Sequence, residues 1–189
     1  PANLTLQCFD ATSVSAWAAT ASATDNCDPS ITVVPTYTPP AGNCNQSITV
    51  TFTATDVCGN TSTATKAFTV NDNIAPVLAG VPADVTVSCD AVPPPASPTA
   101  TDNCDPSPAI TLNEVSTQTS NGTCTDHNYT ITRTWTATDV CGNFSQGAQV
   151  VTVQDVTAPV ITVPPANLTL QCFDATSVSA WAATASATD

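Results

Sequence analysis

Basic residues are almost missing from this sequence of 189 residues. It holds one lysine and one arginine, Lys66 and Arg133, against 15 acidic residues, and its formal net charge is −13. Nucleic acids and anionic membrane surfaces are both recognised by clustered basic side chains. We therefore expect no nucleic-acid partner. No apolar run approaches the length of a transmembrane helix, so we also expect no membrane insertion in this segment.

Histidine and methionine are equally scarce. The single histidine, His127, lies in a polar stretch with no motif around it, and methionine is absent. A Ser-His-Asp arrangement needs a positioned histidine, so we predict that the chain is not an enzyme. All the acidic residues except Glu114 are aspartates, which argues against helices. The abundance of threonine and valine, with 16 prolines, is typical of a β protein with many turns.

The sequence repeats itself on two scales. Residues 1–25 recur unchanged at 165–189, a period of 164 residues, whereas TATDVCGN at 53–60 returns in the same form at 136–143. We interpret the chain as a window of a tandem array in which each period contains two diverged modules. The predicted modules are 1–73 and 74–157, and 158–189 is the start of the next copy. The alternative is a natural protein of 189 residues with identical ends.

Alternating apolar residues predict the strands. In residues 47–56 and 130–139 the apolar phase comprises Ile48, Val50, Phe52 and Ala54, then Ile131, Arg133, Trp135 and Ala137. One face of each sheet is therefore buried, as in antiparallel sheets with one solvated side. Five strands are predicted in the second module: Val85–Ser88, Ser97–Thr101, Ala109–Thr117, Tyr129–Thr138 and Gln146–Val153. An odd number of strands carries the chain from one pole to the other, so the modules should follow one another end to end.

The nine cysteines follow the modules, with four in each and Cys172 as the copy of Cys8. A single histidine and the lack of CxxC pairs favour disulfides in an oxidising compartment over a zinc site. Strands that alternate in direction place cysteines two by two at the poles, and only cysteines at one pole can approach closely enough to bond. The predicted pairs are Cys8–Cys44, Cys27–Cys58, Cys89–Cys124 and Cys104–Cys141.

Aspartates gather at the predicted junctions between modules. They are Asp25, Asp28 and Asp56 in the first module, Asp72, Asp102, Asp105 and Asp139 at the start of the second, and Asp155 and Asp189 at the start of the next. Ca²⁺ takes six to eight oxygen ligands and would relieve the repulsion between these carboxylates. The sequence therefore predicts a metal site for Ca²⁺ at each junction. The alternative is that these aspartates only form turns.

Glu114 and Arg133 are the only glutamate and the only arginine, and both lie in the apolar phase of their strands. This coincidence predicts a cross-strand ion pair. The alternative is two unrelated charges near strand ends.

Several motifs together resemble the hyalin repeat (HYR) domain. They are TAPVITVPPANLTL at 157–170, ATDNC, VTFTATDVCGN and AFTVND. The resemblance implies tandem immunoglobulin-like β-sandwich modules associated with cell adhesion. This cysteine-rich variety resembles the repeats of giant secreted surface adhesins of Bacteroidota. One departure is that a cysteine pair of many hyalin repeats is replaced here by Pro164 and Lys66.

These observations together predict an extracellular, cell-surface array of disulfide-bonded β modules. Its expected role is a structural stalk or filament that holds a binding region away from the cell, with adjacent modules of the same chain as partners. Lateral association of chains is left open. The alternative is that the modules bind glycan or another surface directly, with Trp17 and Trp181 as contacts.

Overall fold

The computed structural model describes residues 1–162, 168–169, 171–172 and 175–188. Most of the regular structure in this part of the chain is β-strand, which confirms the all-β prediction. The residues divide into two compact units, one comprising Pro1–Asp84, Pro94–Val115 and Thr132–Val150, the other Val85–Pro93, Ser116–Ile131 and Val151–Asp189. The predicted module boundaries stay predictions, and "first module" and "second module" are used below for residues 1–73 and 74–157.

The first module forms one four-stranded sheet. Its strands are β1 (Thr5–Leu6), β2 (Thr32–Thr36), β3 (Gln46–Thr55) and β4 (Thr61–Val70), in the order β1-β4-β3-β2. The pairs β2–β3 and β3–β4 are antiparallel, whereas β1 runs parallel to β4, with Thr5 opposite Thr69.

The core of the first module lies on the predicted apolar face of β3. Val50 is fully buried and Phe52 nearly so, as their alternation with threonines predicts. Trp17 packs edge-on against Phe52 and Phe68, with ring centroids 5.9 Å and 6.0 Å away. This aromatic cluster covers the apolar face of the sheet.

Trp17 lies on a helix that the aspartate-rich composition argued against. Helix α1 (Ala11–Ala18) begins after Asp10, whose carboxylate accepts the backbone N–H groups of Thr12 and Ser13. Val14, Trp17 and Ala18 form its buried face at helical spacing. The expectation was wrong because an aspartate at the N-cap starts a helix, although it disfavours helix interiors.

The second module contains the five predicted strands and one more. They are β5 (Val77–Ala79), β6 (Val85–Ser88), β7 (Thr99–Thr101), β8 (Ala109–Ser116), β9 (Tyr129–Thr138) and β10 (Phe144–Gln154). One sheet has the order β6-β10-β9-β8 and a smaller one pairs β5 with β7. A short 3₁₀ turn spans Cys124–Asp126. The additional strand β5 has only three residues, too few for an alternation signal.

The expectation of purely antiparallel sheets is wrong at two places. Besides β1 with β4, β6 pairs in parallel with β10, Val85 lying opposite Val151. Strands that alternate in direction have the first and fifth pointing the same way. When those two become neighbours, their ladder is parallel.

The buried face of β9 is also the predicted one. Ile131, Trp135 and Ala137 are buried. Arg133, which lies between Ile131 and Trp135 in the alternation, is buried as well. The Arg133 Nε donates to Glu114 Oε2 at 2.7 Å, so the predicted ion pair is confirmed.

The segment after the second module contains strand β11 (Val160–Thr162), helix α2 (Ala175–Ala182) and strand β12 (Ser186–Thr188). β11 and β12 are antiparallel, with Val160 opposite Thr188. Among the described residues, neither helix has the length and apolar character that crossing a membrane requires.

Candidate functional site: the junction between the modules

Two disulfides connect the first module to the second. Cys8 bonds to Cys104 and Cys44 bonds to Cys141, with Cα–Cα distances of 5.3 Å and 5.2 Å. The paired cysteines are 96 and 97 residues apart in sequence. This junction carries covalent connections in addition to the peptide chain.

The predicted pairing within modules is therefore wrong. Cys8–Cys44 and Cys104–Cys141 are replaced by the two bonds across the junction, and the cysteines of the other predicted pairs are free: Cys27, Cys58, Cys89 and Cys124, together with Cys172. The strand argument compared only cysteines of one module. It overlooked that the short linker between the modules, VNDNIAPV at residues 70–77, brings the poles of consecutive modules within bonding reach of each other.

Aspartate side chains shape the two loops that present Cys104 and Cys141. Asp102 Oδ1 accepts the N–H groups of Cys104 and Asp105, each at 2.9 Å. Asp139 Oδ1 accepts the N–H groups of Cys141 and Asn143, each at 2.8 Å. These are the local side-chain-to-backbone bonds by which aspartate stabilises turns. The loops are thus held in the conformation that the disulfides use.

A further aspartate bond joins one loop to the other. Asp105 Oδ2 accepts the N–H of Val140 at 2.9 Å, whereas its Oδ1 accepts that of Ser107. Because Asp105 follows Cys104 and Val140 precedes Cys141, this bond sets the spacing of the two bonded cysteines.

The linker is held from both sides. Its Asp72 N–H donates to the Asn43 carbonyl of the first module at 2.9 Å. From the second module, Asn143 Nδ2 donates to the Asp72 carbonyl at 3.2 Å, and Ser145 Oγ donates to the Pro76 carbonyl. The linker is therefore fixed by hydrogen bonds as well as flanked by the disulfides.

Two carboxylate oxygens at this junction are buried without a hydrogen-bond partner among the described residues, Asp72 Oδ2 and Asp102 Oδ2. Asp72 is only 3% exposed, and one ligand atom each of Asp72, Asp102 and Cys104 lies within 4.8 Å of the others. Because the Cys104 sulfur is in a disulfide, it supplies no thiolate. The candidate donors are thus two carboxylates.

The electrostatics at Asp102 favour the charged form. Burial raises the pKa of Asp102, but the N–H groups of Asp105, Cys104 and Asn103 together lower this pKa below its usual value. A buried carboxylate oxygen that stays ionised beside a second one costs free energy unless a cation compensates it. The pair therefore fits a hard divalent cation, whose remaining ligands would be carbonyl or water oxygens.

The structure does not bring the other predicted metal ligands into this cluster. Asp105 and Asp139 use both oxygens in the loop bonds, and Asp155 accepts the N–H of Thr157. In the first module, Asp25, Asp28 and Asp56 make the same loop bonds that Asp102, Asp105 and Asp139 make in the second. Asp189 lies outside the described residues.

The two tryptophans proposed as ligand contacts differ in exposure. Trp17 is only 8% exposed in the core, and its indole N–H donates to the Ala2 carbonyl at 2.7 Å. Its proposed role as a surface contact is therefore wrong. The identical residue in the next copy, Trp181, is 38% exposed.

A comparison with family models found a match to part of the chain. Residues 77–153 match the model of an HYR-like domain with 4 cysteines. The matched segment contains Cys89, Cys104, Cys124 and Cys141, two of which bond to the first module. No curated protein matches the chain. The match supports an HYR-type domain over residues 77–153. Such a domain, together with the disulfides, points to an extracellular domain.

One signal in the sequence pointed to the junction. The motifs ATDNC and TATDVCGN place their cysteines at one pole of each module, and that pole follows directly on the linker. Such cysteines therefore lie at the end of the module that faces the preceding one. The shortness of the linker limits the distance between these cysteines and the preceding module. Taking that limit into account would have added the cross-module pairing to the candidate disulfides.

Proposed function

We propose that this chain is a segment of a structural stalk in a secreted cell-surface adhesin. The observation that carries the proposal is the pair of disulfides, Cys8–Cys104 and Cys44–Cys141, which add two covalent connections to the peptide linker. A spacer that holds a binding region away from a cell must transmit tension from module to module. Cross-module bonds serve that purpose better than bonds within a module, since they carry part of the load across the junction, where otherwise only the peptide chain connects the modules.

The bridges also limit how far the segment can lengthen under load. With both bonds intact, tension on an unfolding chain passes from Cys8 to Cys104 and from Cys44 to Cys141 without extending the residues between them in full. Each residue so protected would otherwise add about 3.3–3.6 Å of length. The segment therefore resists extension even after its hydrogen bonds fail.

Small-angle X-ray scattering tests the stalk directly. A chain lengthened to two full periods should give an extended particle with a maximum dimension of roughly 160 Å, because each module contributes about one strand length plus loops. The matched variant with Cys8→Ser and Cys104→Ser tests whether the bridges stiffen the particle. Its distribution of interatomic distances, derived from the scattering, should be broader than that of the unmodified chain. A compact particle for the unmodified chain would contradict the stalk.

The same junction gives the stalk a site for calcium. The support is the buried pair Asp72 and Asp102, each with an oxygen that no described residue satisfies. Bound Ca²⁺ would compensate their charge and connect the linker to the Asp102 loop. The neighbouring aspartates, in this account, act as turn formers that keep the loop in place.

Isothermal titration calorimetry with CaCl₂ tests this site, and the repeat offers a matched control. Asp102→Asn should abolish the heat of binding, since Asn carries no charge. Asp25→Asn, the same change at the corresponding position of the first module, should leave it unchanged, because Asp25 is exposed. Equal losses in both variants, or no binding by the unmodified chain, would reject the calcium site while leaving the stalk intact.

A further inference from the structure

The first module carries a second copy of the cysteine-presenting loops, but without a partner. We call the loops around Cys27 and Cys58 the upstream pole of the first module, and those around Cys104 and Cys141 the upstream pole of the second. In the second module both cysteines are bonded, whereas Cys27 and Cys58 are free and exposed. The sequence motifs are the same at both poles.

The two upstream poles have the same hydrogen bonds. Asp28 Oδ2 accepts the N–H of Val57 at 3.0 Å, as Asp105 accepts that of Val140. Asp25 Oδ1 accepts the N–H of Cys27 at 2.8 Å, as Asp102 accepts that of Cys104. Cys27 and Cys58 are therefore already held in the arrangement that forms two disulfides in the second module.

The upstream pole of the first module also contains a cavity where the second module holds its linker. This cavity, of about 140 Å³, is lined by Asp25, Asn60 and Ser62 among others. Their counterparts in the second module are Asp102, Asn143 and Ser145. Asn143 and Ser145 bind the carbonyls of Asp72 and Pro76, and Asp102 lies beside the Asp72 carboxylate. The cavity thus carries the same residue types that hold the linker in the second module.

The chain itself contains the matching occupant. The linker after the second module, VQDVTAPV, has Asp155 and Pro159 where the first linker has Asp72 and Pro76. Cys89 and Cys124 correspond to Cys8 and Cys44 and are also free. Cys89, His127 and Asp155 line one cavity, which places this cysteine beside the linker.

We infer that the upstream pole of the first module binds the downstream end of a preceding second module, and that two disulfides lock this junction as well. Cys27 bonds to the preceding copy of Cys89, and Cys58 to the preceding copy of Cys124. Consecutive periods are then joined as the modules within one period are, and every cysteine of an interior period is bonded to a neighbouring module. The inference rests on the tandem array that the proposed function contains.

Formation of each bridge is a two-electron oxidation. Two thiols lose two protons and two electrons and form one S–S bond, while a disulfide oxidant such as oxidised glutathione gains them and becomes two thiols. An extracellular compartment supplies such oxidants. The loops of the free pole already make the hydrogen bonds that the loops of the bonded pole make.

Thiol counting on a lengthened chain tests the inference. The 189-residue chain and the same chain with one more period are oxidised with a glutathione couple, then alkylated in denaturant without reductant, and intact masses are measured. The shorter chain should show five alkylated thiols. The longer chain should show the same number, because the four cysteines at the new junction bond to one another. Four additional thiols would overturn the inference.

Two matched variants of the longer chain sharpen the test. Cys124→Ser in the first period should raise the thiol count by one, because it leaves the next copy of Cys58 without its partner. Cys58→Ser in the first period should lower the count by one, because that cysteine is already free. A decrease in both variants would overturn the inference.

Peptide mapping identifies the bonds in the same samples. Cleavage before aspartate places Cys124 on residues 105–125 and Cys58 on residues 56–71. The inference predicts that these two peptides are linked, and a link between residues 84–89 and 105–125 would overturn it. If the cysteines fail to pair but scattering still shows an extended particle, the stalk stands and only the locked junction between periods is lost.

Discussion

The upstream poles of the first and the second module have the same turns, but only the pole of the second module is covered by a neighbouring module. Asp56 and Asp139 each accept the side-chain N–H of the asparagine four residues later at 2.7 Å, and Gly59 and Gly142 both adopt positive φ in these turns. Yet Asp139 is 6% exposed and buried, whereas Asp56 is only partly buried. Local sequence therefore builds the loop, and contact with a neighbouring module determines its burial and its disulfides.

A pair of identical segments gives the same lesson about strands. Residues Ser186–Thr188 form β12 against β11, whereas the identical residues 22–24 form no strand. The two segments have the same sequence, so their difference in structure comes from their surroundings. A three-residue strand exists only when its partner strand is at hand, because its few ladder bonds cannot offset the entropy of ordering.

The largest expected effect comes from breaking one cross-module bond. Cys8→Ser with Cys104→Ser removes a bridge that closes a long loop, and should lower the free energy of unfolding by about 4–5 kcal/mol. Urea denaturation followed by circular dichroism measures this. The matched control is Cys27→Ser with Cys58→Ser, which removes two free cysteines and should change the value by about 0.5 kcal/mol or less. Equal losses in the two variants would mean that the poles do not differ.

The two tryptophans offer the next comparison. Trp17→Ala removes a buried ring that contacts Phe52 and Phe68, and should cost about 3–4 kcal/mol. Trp181→Ala makes the same change in the partly exposed copy and should cost about 1 kcal/mol or less. Thermal unfolding of both variants at one protein concentration provides the values. A larger loss for Trp181→Ala would contradict the assignment of Trp17 to the core.

A smaller effect separates the turn aspartates of the two upstream poles. Asp139→Ala leaves three partly buried N–H groups without their acceptor and should destabilise the chain by about 2 kcal/mol. Asp56→Ala removes the corresponding bonds where water can replace them, so its loss should be distinctly smaller. Hydrogen exchange of the Asn60 and Asn143 amides reads out each turn separately. Similar destabilisation would show that the covering module does not strengthen the turn.

The smallest effect is a pH dependence. Bonds from the Ser13 side chain, then from the backbone N–H groups of Ser13 and Thr12, lower the pKa of Asp10, and the side chain of Asn60 lowers that of Asp56. Because these folded-state pKa values are depressed, the stabilisation is complete above the ordinary aspartate pKa of about 3.9 and is lost as the pH falls through the folded values. The melting temperature should therefore decrease as the pH is lowered below about 4. The fall should be shallower for Asp10→Asn, which keeps the cap without a charge.

The sequence predicted what depends on local pattern. The alternation around Phe52 and Trp135 identified the buried faces, and the lone charges Glu114 and Arg133 identified their own ion pair. Helix α1 was missed because its signal is a single N-cap, Asp10, followed by only eight residues. A residue that disfavours helices on average can still begin one.

The disulfides were mispaired for a different reason. Strand direction assigns a cysteine to a pole but carries no information on whether its partner lies across the module or across the linker. Here Cys8 and Cys44 bond across the linker. The metal site stays a prediction, and only the contacts at the junction separate Asp72 and Asp102 from the turn-forming aspartates.

The pairing of Cys44 tests the account most directly. Under non-reducing conditions, cleavage before aspartate places Cys8, Cys44 and Cys141 on three peptides, residues 1–9, 28–55 and 139–154. Mass spectrometry should find residues 28–55 joined to residues 139–154, which is the bond across the junction. Residues 28–55 joined to residues 1–9 would place the bond within the first module and contradict the covalent junction on which the stalk and its locked array depend.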